Sequence, residues 1–136
     1  MLLVVDTNIL ISFFNERSTA RELAISSSLE LCSPKTALYE INKHKQDILK
    51  SFSLSEGQFS FILRLLNSTV QFAETEEYKR FLSRAIRVSP DPDDIDFFAM
   101  ALKLGCPLWS EEKRLGRQQK VKVYNTSELL KELGFG

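Results

Sequence analysis

The chain has 136 residues, 43% of them hydrophobic and 26% charged, which is typical of a globular domain with one core. Its 18 basic residues cancel its 18 acidic residues, and this balance argues against a protein built to wrap a long nucleic-acid duplex. There is no basic leader, no apolar run near the roughly 18 residues of a membrane span, and only two cysteines, so we expect a cytoplasmic protein with no membrane partner and a single domain over residues 1–136.

Short apolar runs alternate along the chain with segments of helical spacing. Strands are predicted over residues 2–5, 29–32, 70–72, 107–109 and 121–124. Helices are predicted from about residue 9 and over residues 19–27, 33–48, 55–66, 75–86, 94–104, 111–119 and 125–134. Ser33 followed by Pro34 is a helix-start signature, and Gly105 is placed to end the helix before it. This alternation predicts an α/β protein whose parallel sheet is covered by helices on both sides.

Four acidic residues follow or flank the predicted strands in a way that would gather them at one edge of the sheet. Asp6 directly follows the first strand, and Glu40 lies about two turns into the helix after the second. Asp94 opens the helix that leads to the fourth strand, and Glu112 opens the segment that leaves it. In open parallel sheets, ligands bind beyond the carboxyl ends of the strands, so these four carboxylates form a candidate site.

Carboxylates that crowd together repel one another unless a cation lies among them. Oxygen ligands suit Mg²⁺ or Mn²⁺, and the absence of clustered His and Cys argues against zinc. Each acid also has a purely structural interpretation. Glu40 can pair with Lys43 or His44 on its own helix, and acids such as Asp94 in a first helical turn interact favourably with the helix dipole. The structural interpretation is kept for the acids Glu76, Glu77, Asp93, Asp96 and Glu111.

Four segments, in this order, resemble the PIN-domain family. They are VVDTN at 4–8, ALYEI at 37–41, DPDDIDFFAMAL at 91–102 and LWSEEK at 108–113. The resemblance implies a three-layer α/β/α sandwich with a parallel five-stranded sheet and a metal-dependent nuclease activity. It assigns acidic-site roles to Asp6, Glu40, Asp94 and Glu112, although the family usually has Asp at the last position. The small polar residues that would support the site are Thr7, Asn8 and Ser110.

The resulting hypothesis is an endoribonuclease that uses Mg²⁺ or Mn²⁺ to hydrolyse phosphodiester bonds, with single-stranded RNA as the favoured substrate. Preference for RNA over DNA comes from the family alone. Basic residues flanking the acids could hold the phosphate backbone, or could equally form a solvated helix face. They are Lys43, Lys113, Arg114 and Arg117.

The resemblance leaves a second class of function open. A PIN-like domain weakened in catalysis would serve as a protein or RNA interaction module, and Glu112 in place of Asp is the main argument for it. Within the nuclease hypothesis, the chain fits either the toxin of a toxin–antitoxin pair, with an antitoxin protein as partner, or a processing enzyme. A homodimer is also compatible with the family. No glycine-rich loop follows Val5, which excludes a nucleotide-binding module. A haloacid-dehalogenase-like phosphatase would have a second Asp at position 8, where this chain has Asn8.

Overall fold

The computed structural model of the chain describes residues 1–26 and 28–135. Within these residues, five strands form one sheet: β1 (Leu2–Val5), β2 (Glu30–Pro34), β3 (Val70–Ala73), β4 (Leu108–Trp109) and β5 (Val123–Tyr124). Their order across the sheet is β3-β2-β1-β4-β5, and all neighbouring pairs are parallel. The predicted parallel five-stranded sheet between helical layers is therefore confirmed.

Helices connect the strands on both sides of the sheet. They are α1 (Thr7–Ser12), α2 (Thr19–Ala24), α3 (Thr36–Lys43), α4 (Lys45–Ser51), α5 (Glu56–Thr69), α6 (Thr75–Tyr78), α7 (Leu82–Val88), α8 (Ile95–Leu104) and α9 (Thr126–Glu132). The chain steps outward from β1 to β3 and then crosses back to β4. Because such crossovers are right-handed, connections that run in opposite directions place α1–α5 and α6–α8 on opposite faces. Over the described ranges, no helix combines the length and apolarity needed to cross a membrane.

The core lies on both faces of the central strand. Leu3, Val4 and Val5 of β1 have no exposed surface, as expected for the middle strand of a sheet covered on both sides. Helix α8 packs against β1, β2 and β4 with five consecutive buried residues, Phe97 to Ala101. Eight of the ten Phe residues are buried or packed against the core, so they supply much of its apolar surface.

Local signals fixed several helix boundaries correctly. The Ser55 side chain accepts a hydrogen bond from the Gln58 N–H at the start of α5, and the Gln58 side chain bonds back to Ser55. Asn125 and Glu128 form the same reciprocal pair at α9. Gly105 follows α8 with φ of 60°, the left-handed conformation that glycine adopts most easily.

The predicted helix start at Ser33 and Pro34 was wrong. Both residues continue β2, and α3 begins only at Thr36. The Ser33 hydroxyl donates to the Val5 carbonyl oxygen at 2.8 Å, so it bonds to the neighbouring strand instead of capping a helix. Pro34 is tolerated because it lies beyond Cys32, the last residue of β2 that pairs with β1, so its missing N–H costs no hydrogen bond between these strands.

Other predicted elements differ in extent. The long helix expected through residue 48 breaks at His44 into α3 and α4. The helix expected over 19–27 ends at Ala24, and Ser27 lies outside the described residues. The cap residue of α6 is Glu74. The helix expected over residues 111–119 is a shorter 3₁₀ turn at Lys113–Arg117. These differences reflect tertiary packing that overrides weak local propensity.

Candidate functional site

A cleft of about 540 Å³ opens beside the carboxyl end of β1. The N-terminal end of α1, one side of α3 and the segment that leads into α8 form its walls. All four acids predicted for the site line this cleft: Asp6, Glu40, Asp94 and Glu112. The fold therefore brings together carboxylates that are up to 106 positions apart in the chain.

Asp6 is fixed in place by the fold. It directly follows β1 and caps α1, where its Oδ1 accepts a hydrogen bond from the Ile9 N–H at 2.9 Å. Only 4% of its surface is exposed. Burial raises the pKa of the Asp6 carboxyl to about 6, although hydrogen bonds from Ser110 and Ile9 oppose the shift. A cation bound beside Asp6 would favour its ionised form and lower this pKa again.

Asp94 lies at the centre of the acidic group, at the point where a 3₁₀ turn (Pro92–Asp94) passes into α8. Burial raises the pKa of its carboxyl to about 7, and the charges of Glu112, Asp6 and Asp91 add to the shift, in that order. Two acids at one site thus have pKa values near neutrality. This pattern is common where carboxylates are held together for binding or catalysis.

The tightest acidic group contains a residue that was not predicted. Carboxylate oxygens of Asp91, Asp94 and Glu112 all lie within 4.8 Å of one another, which is close enough for one cation to contact all three. The sequence indicated Asp91 only as the first residue of the matched segment 91–102, and in the structure its Oδ1 accepts the Asp93 N–H at the start of the 3₁₀ turn. Its position three residues before Asp94, between two prolines, was the signal that could have identified it.

Arg114 contacts the same acidic group. Its guanidinium forms ion pairs with Asp91 and with Glu112, the latter at 3.1 Å. The sequence singled out Arg114 as an RNA-binding residue, whereas in this structure its charge is directed at two carboxylates of the cleft. The Arg114 side chain is still 48% exposed.

Glu40 lies apart from this group although it lines the same cleft. Its carboxylate is 3.6 Å from His44 Nε2, one helical turn along, and half of its side chain is exposed. Glu40 is not among the three mutually close acids that the described residues contain. The structure thus places Glu40 on the wall of the cleft and Asp91 inside the cluster.

The three small polar residues predicted to support the site also lie beside Asp6. Thr7 and Asn8 line the cleft at the start of α1. Ser110 is 1% exposed, its Oγ accepts the Glu112 N–H at 3.0 Å, and its hydroxyl lowers the pKa of the Asp6 carboxyl. Ser110 therefore links the backbone of one acidic residue to the side chain of another.

We expect Ser110→Ala to weaken divalent-ion binding by about tenfold, because partners that orient ligands from behind typically contribute that much or more. The substitution also removes a hydrogen bond that lowers the pKa of Asp6. Isothermal titration with Mn²⁺ measures the effect. Ser33→Ala is the matched control, since Ser33 is equally buried but bonds to Val5; it should lower stability and leave ion affinity unchanged. Equal affinities for the two variants would contradict the linking role of Ser110.

Two acids given a structural interpretation have structural partners here. Glu111 Oε1 accepts hydrogen bonds from the backbone N–H and the hydroxyl of Thr126, at the first turn of α9. Asp96 accepts a hydrogen bond from the Tyr78 hydroxyl at 2.5 Å, although it also lines the cleft. Burial, together with Asp96, raises the pKa of Tyr78 to about 12, so its proton stays in this bond.

The remaining basic residues predicted to bind RNA occupy two places. Lys43 lines the cleft from the end of α3. Lys113 and Arg117 are exposed on the 3₁₀ turn that follows Glu112, outside the lining of the cleft. Of these three basic residues, only Lys43 lines the cleft itself.

The fold and the cleft together define an α/β protein with a carboxylate site at the carboxyl edge of a parallel sheet, chemically suited to a hard divalent cation. A family model for the PIN domain matches residues 4–133. The chain therefore belongs to the PIN-domain family, whose members are generally nucleases.

Comparison with solved structures supports the same fold. The chain is similar to a chain in the crystal structure of VapBC2 from Rickettsia felis bound to a DNA fragment from their promoter, with a TM-score of 0.61. The alignment covers 92% of this chain and 98% of that one at 15% sequence identity, so the likeness is one of fold. A search of curated proteins found no match.

Proposed function

We propose that this chain is an endoribonuclease that depends on Mg²⁺ or Mn²⁺ and hydrolyses phosphodiester bonds of single-stranded RNA. The observation that carries the proposal is the convergence of Asp6, Asp91, Asp94 and Glu112 on one open cleft. Membership in a family of nucleases gives this cleft its expected chemistry.

The residues fit a divalent ion. All the ligands are carboxylate oxygens, which hard ions such as Mg²⁺ and Mn²⁺ prefer. The pKa values of Asp6 and Asp94 are raised by burial and by neighbouring negative charge, and a cation would relieve both causes. We assign Asp6 and Asp94 as direct ligands, with Glu112 beside them and Glu40 acting from the cleft wall.

When bound, the ion supplies Lewis-acid chemistry: it acidifies water and stabilises negative charge on a phosphate during in-line displacement. The chain itself orients the ligands through the α1 cap and Ser110. Lys43 on the cleft wall attracts the phosphate backbone. His44 lies beside Glu40 and Asp47, and we assign it no catalytic role. We expect products with a 5′-phosphate and a 3′-hydroxyl.

The favoured substrate follows from the small amount of basic surface. A zero formal charge and a few cations around one cleft suit a single strand or loop better than a long duplex. The choice of RNA over DNA is an inference from the family.

The test is cleavage of single-stranded RNA by wild type and by an Asp6→Asn, Asp94→Asn double variant, with Mn²⁺, Mg²⁺ or EDTA. We expect cleavage that needs the metal and is absent from the variant. Asn still caps helices well, so the double variant should fold. Equal cleavage by both proteins would show that the activity comes from elsewhere. If neither cleaves any of several RNAs although wild type binds Mn²⁺, the nuclease assignment fails.

A second candidate is a PIN-like domain with weak catalysis that serves as a protein or RNA interaction module. Two observations favour it: Glu112 stands where the family usually has Asp, and Arg114 is paired with two of the clustered acids. Metal binding without cleavage would support this candidate.

The biological role that we propose within the nuclease assignment is the toxin of a toxin–antitoxin pair, with an antitoxin protein as partner. A chain with a similar fold occurs in the crystal structure of VapBC2 bound to a DNA fragment from their promoter, and this similarity supports the proposed role. Co-expression with the product of an adjacent small gene, followed by gel filtration, tests this role. The same gel filtration of the chain alone tests for a homodimer.

A further inference from the structure

Arg114 has no role in the proposed reaction, although it contacts the acidic group. Its guanidinium contacts Asp91 and Glu112, which both belong to the group of acids whose oxygens lie within 4.8 Å of one another. A cation other than a metal ion thus already occupies one end of the acidic cluster.

The cluster has two distinguishable ends. Arg114 forms ion pairs with Asp91 and Glu112, and within the described residues none joins it to Asp94 or Asp6. Asp6 is 4% exposed and caps α1, whereas the Asp91 side chain is 20% exposed. We therefore distinguish a buried end, with Asp6 and Asp94, from an outer end, with Asp91 and Glu112. Arg114 reaches the outer end only.

Asp91 is held more firmly than the Arg114 side chain that pairs with it. Asp91 is flanked by two prolines and uses Oδ1 to cap the turn, so its other oxygen has a fixed position. The backbone next to Arg114 is anchored by Leu115, which has no exposed surface. The Arg114 side chain is 48% exposed, so it can leave the cluster without disturbing the core.

We propose that Arg114 is a displaceable internal cation, which neutralises Asp91 and Glu112 in the ion-free protein and competes with a divalent ion for these two carboxylates. This inference rests on the proposed metal site, and it says how many ions that site can hold while Arg114 is in place. A first ion binds at the Asp6–Asp94 end alongside Arg114. A second ion at the Asp91–Glu112 end requires Arg114 to swing away, because the guanidinium and the ion would repel each other and compete for the same carboxylate oxygens.

The experiment is a calorimetric titration with Mn²⁺, without RNA, of wild type, Arg114→Gln and Arg117→Gln. Arg117 is the matched control, since it is exposed on the same 3₁₀ turn and lies outside the lining of the cleft. We expect Arg114→Gln to gain a second Mn²⁺ site or to bind Mn²⁺ on the order of tenfold more tightly than wild type. Arg117→Gln should bind as wild type does.

A second variant guards against a folding defect. Arg114→Lys keeps the charge but loses the planar fork that reaches two carboxylates, so its affinity for Mn²⁺ should fall between those of wild type and Arg114→Gln. Equal affinity and stoichiometry for wild type and Arg114→Gln would overturn this inference and leave the metal site standing. If none of the proteins binds Mn²⁺, both the metal site and the inference fail.

Discussion

Asp94→Asn is expected to impair the proposed RNA cleavage severely and, at the same time, to stabilise the ion-free protein. Loss of the central carboxylate should reduce cleavage on the order of a thousandfold, which corresponds to about 4 kcal/mol of transition-state stabilisation. It should also weaken Mn²⁺ binding, because Asp94 faces Asp6, Asp91 and Glu112 together. Single-turnover cleavage and calorimetry measure these two losses.

The gain in stability follows from the sign of the pKa shift at Asp94. Its pKa is raised from 3.8 to about 7 in the folded protein, so the folded state binds more protons than the unfolded state between these values. The free energy of unfolding therefore falls as the pH rises from 4 to 7, and the full penalty is present at pH 8. After a discount for partial exposure, Asn should restore about 1–2 kcal/mol at pH 8. Thermal unfolding in EDTA measures the change.

Asp93→Asn is the control for both effects. Asp93 is the neighbouring carboxylate in the same 3₁₀ turn, but it is exposed and contributes less to the pKa of Asp94 than the other named acids. We expect less than about a threefold change in Mn²⁺ affinity, as for most surface substitutions. If Asp94→Asn destabilised the protein in EDTA at pH 8, the electrostatic account of the cleft would be wrong.

The second large effect is the dependence of metal binding on pH. The pKa values of Asp6 and Asp94 are raised to about 6 and about 7, so both carboxyls must lose a proton before a cation can bind. Affinity for Mn²⁺ should be full near pH 8 and should fall about a hundredfold by pH 5.5, as the pH drops through both values. Titrations at intervals between these limits give the slope.

The Asp6→Asn variant shows how much each of the two carboxyls contributes to the pH dependence of binding. With one of the two titrating carboxyls removed, binding of Mn²⁺ should be weaker throughout, and its pH dependence should be shallower than in wild type. Ordinary carboxyls with a pKa near 4 would already be ionised over the whole range. A flat profile between pH 5.5 and 8 in wild type would therefore show that the acids are not perturbed as the structure indicates.

Much of the site could be predicted from the sequence because it depends on strand ends. The apolar run that becomes β1 is short and is buried from Leu3 to Val5, and it places Asp6 at the carboxyl edge of the sheet. The predicted order of strands and helices places Glu40, Asp94 and Glu112 near the same edge, and all line the cleft. Segment order was sufficient here because all strands are parallel.

Distances within the cleft were decided by tertiary structure. Glu40 and Asp91 both line the cleft, but only Asp91 has a carboxylate oxygen within 4.8 Å of those of Asp94 and Glu112. The proline-flanked turn at residues 89–94 positions Asp91, and the contacts made by Glu40 with His44 keep it on the wall. Sequence spacing gives the face of a helix on which a side chain lies, and it does not give the separation between two side chains on different elements.

The sequence alone determined the family, the parallel α/β fold and the helix boundaries at Ser55, Gly105 and Asn125, because these depend on local patterns of apolar, capping and turn residues. Only the tertiary structure decided that Ser33 bonds to β1 and that Arg114 pairs with Asp91 and Glu112. Val5 is 28 residues from Ser33, and Asp91 is 23 residues from Arg114. Only Glu112 is close in sequence to its partner Arg114. Such contacts depend on how separate elements pack, and a single sequence carries no local signal for that.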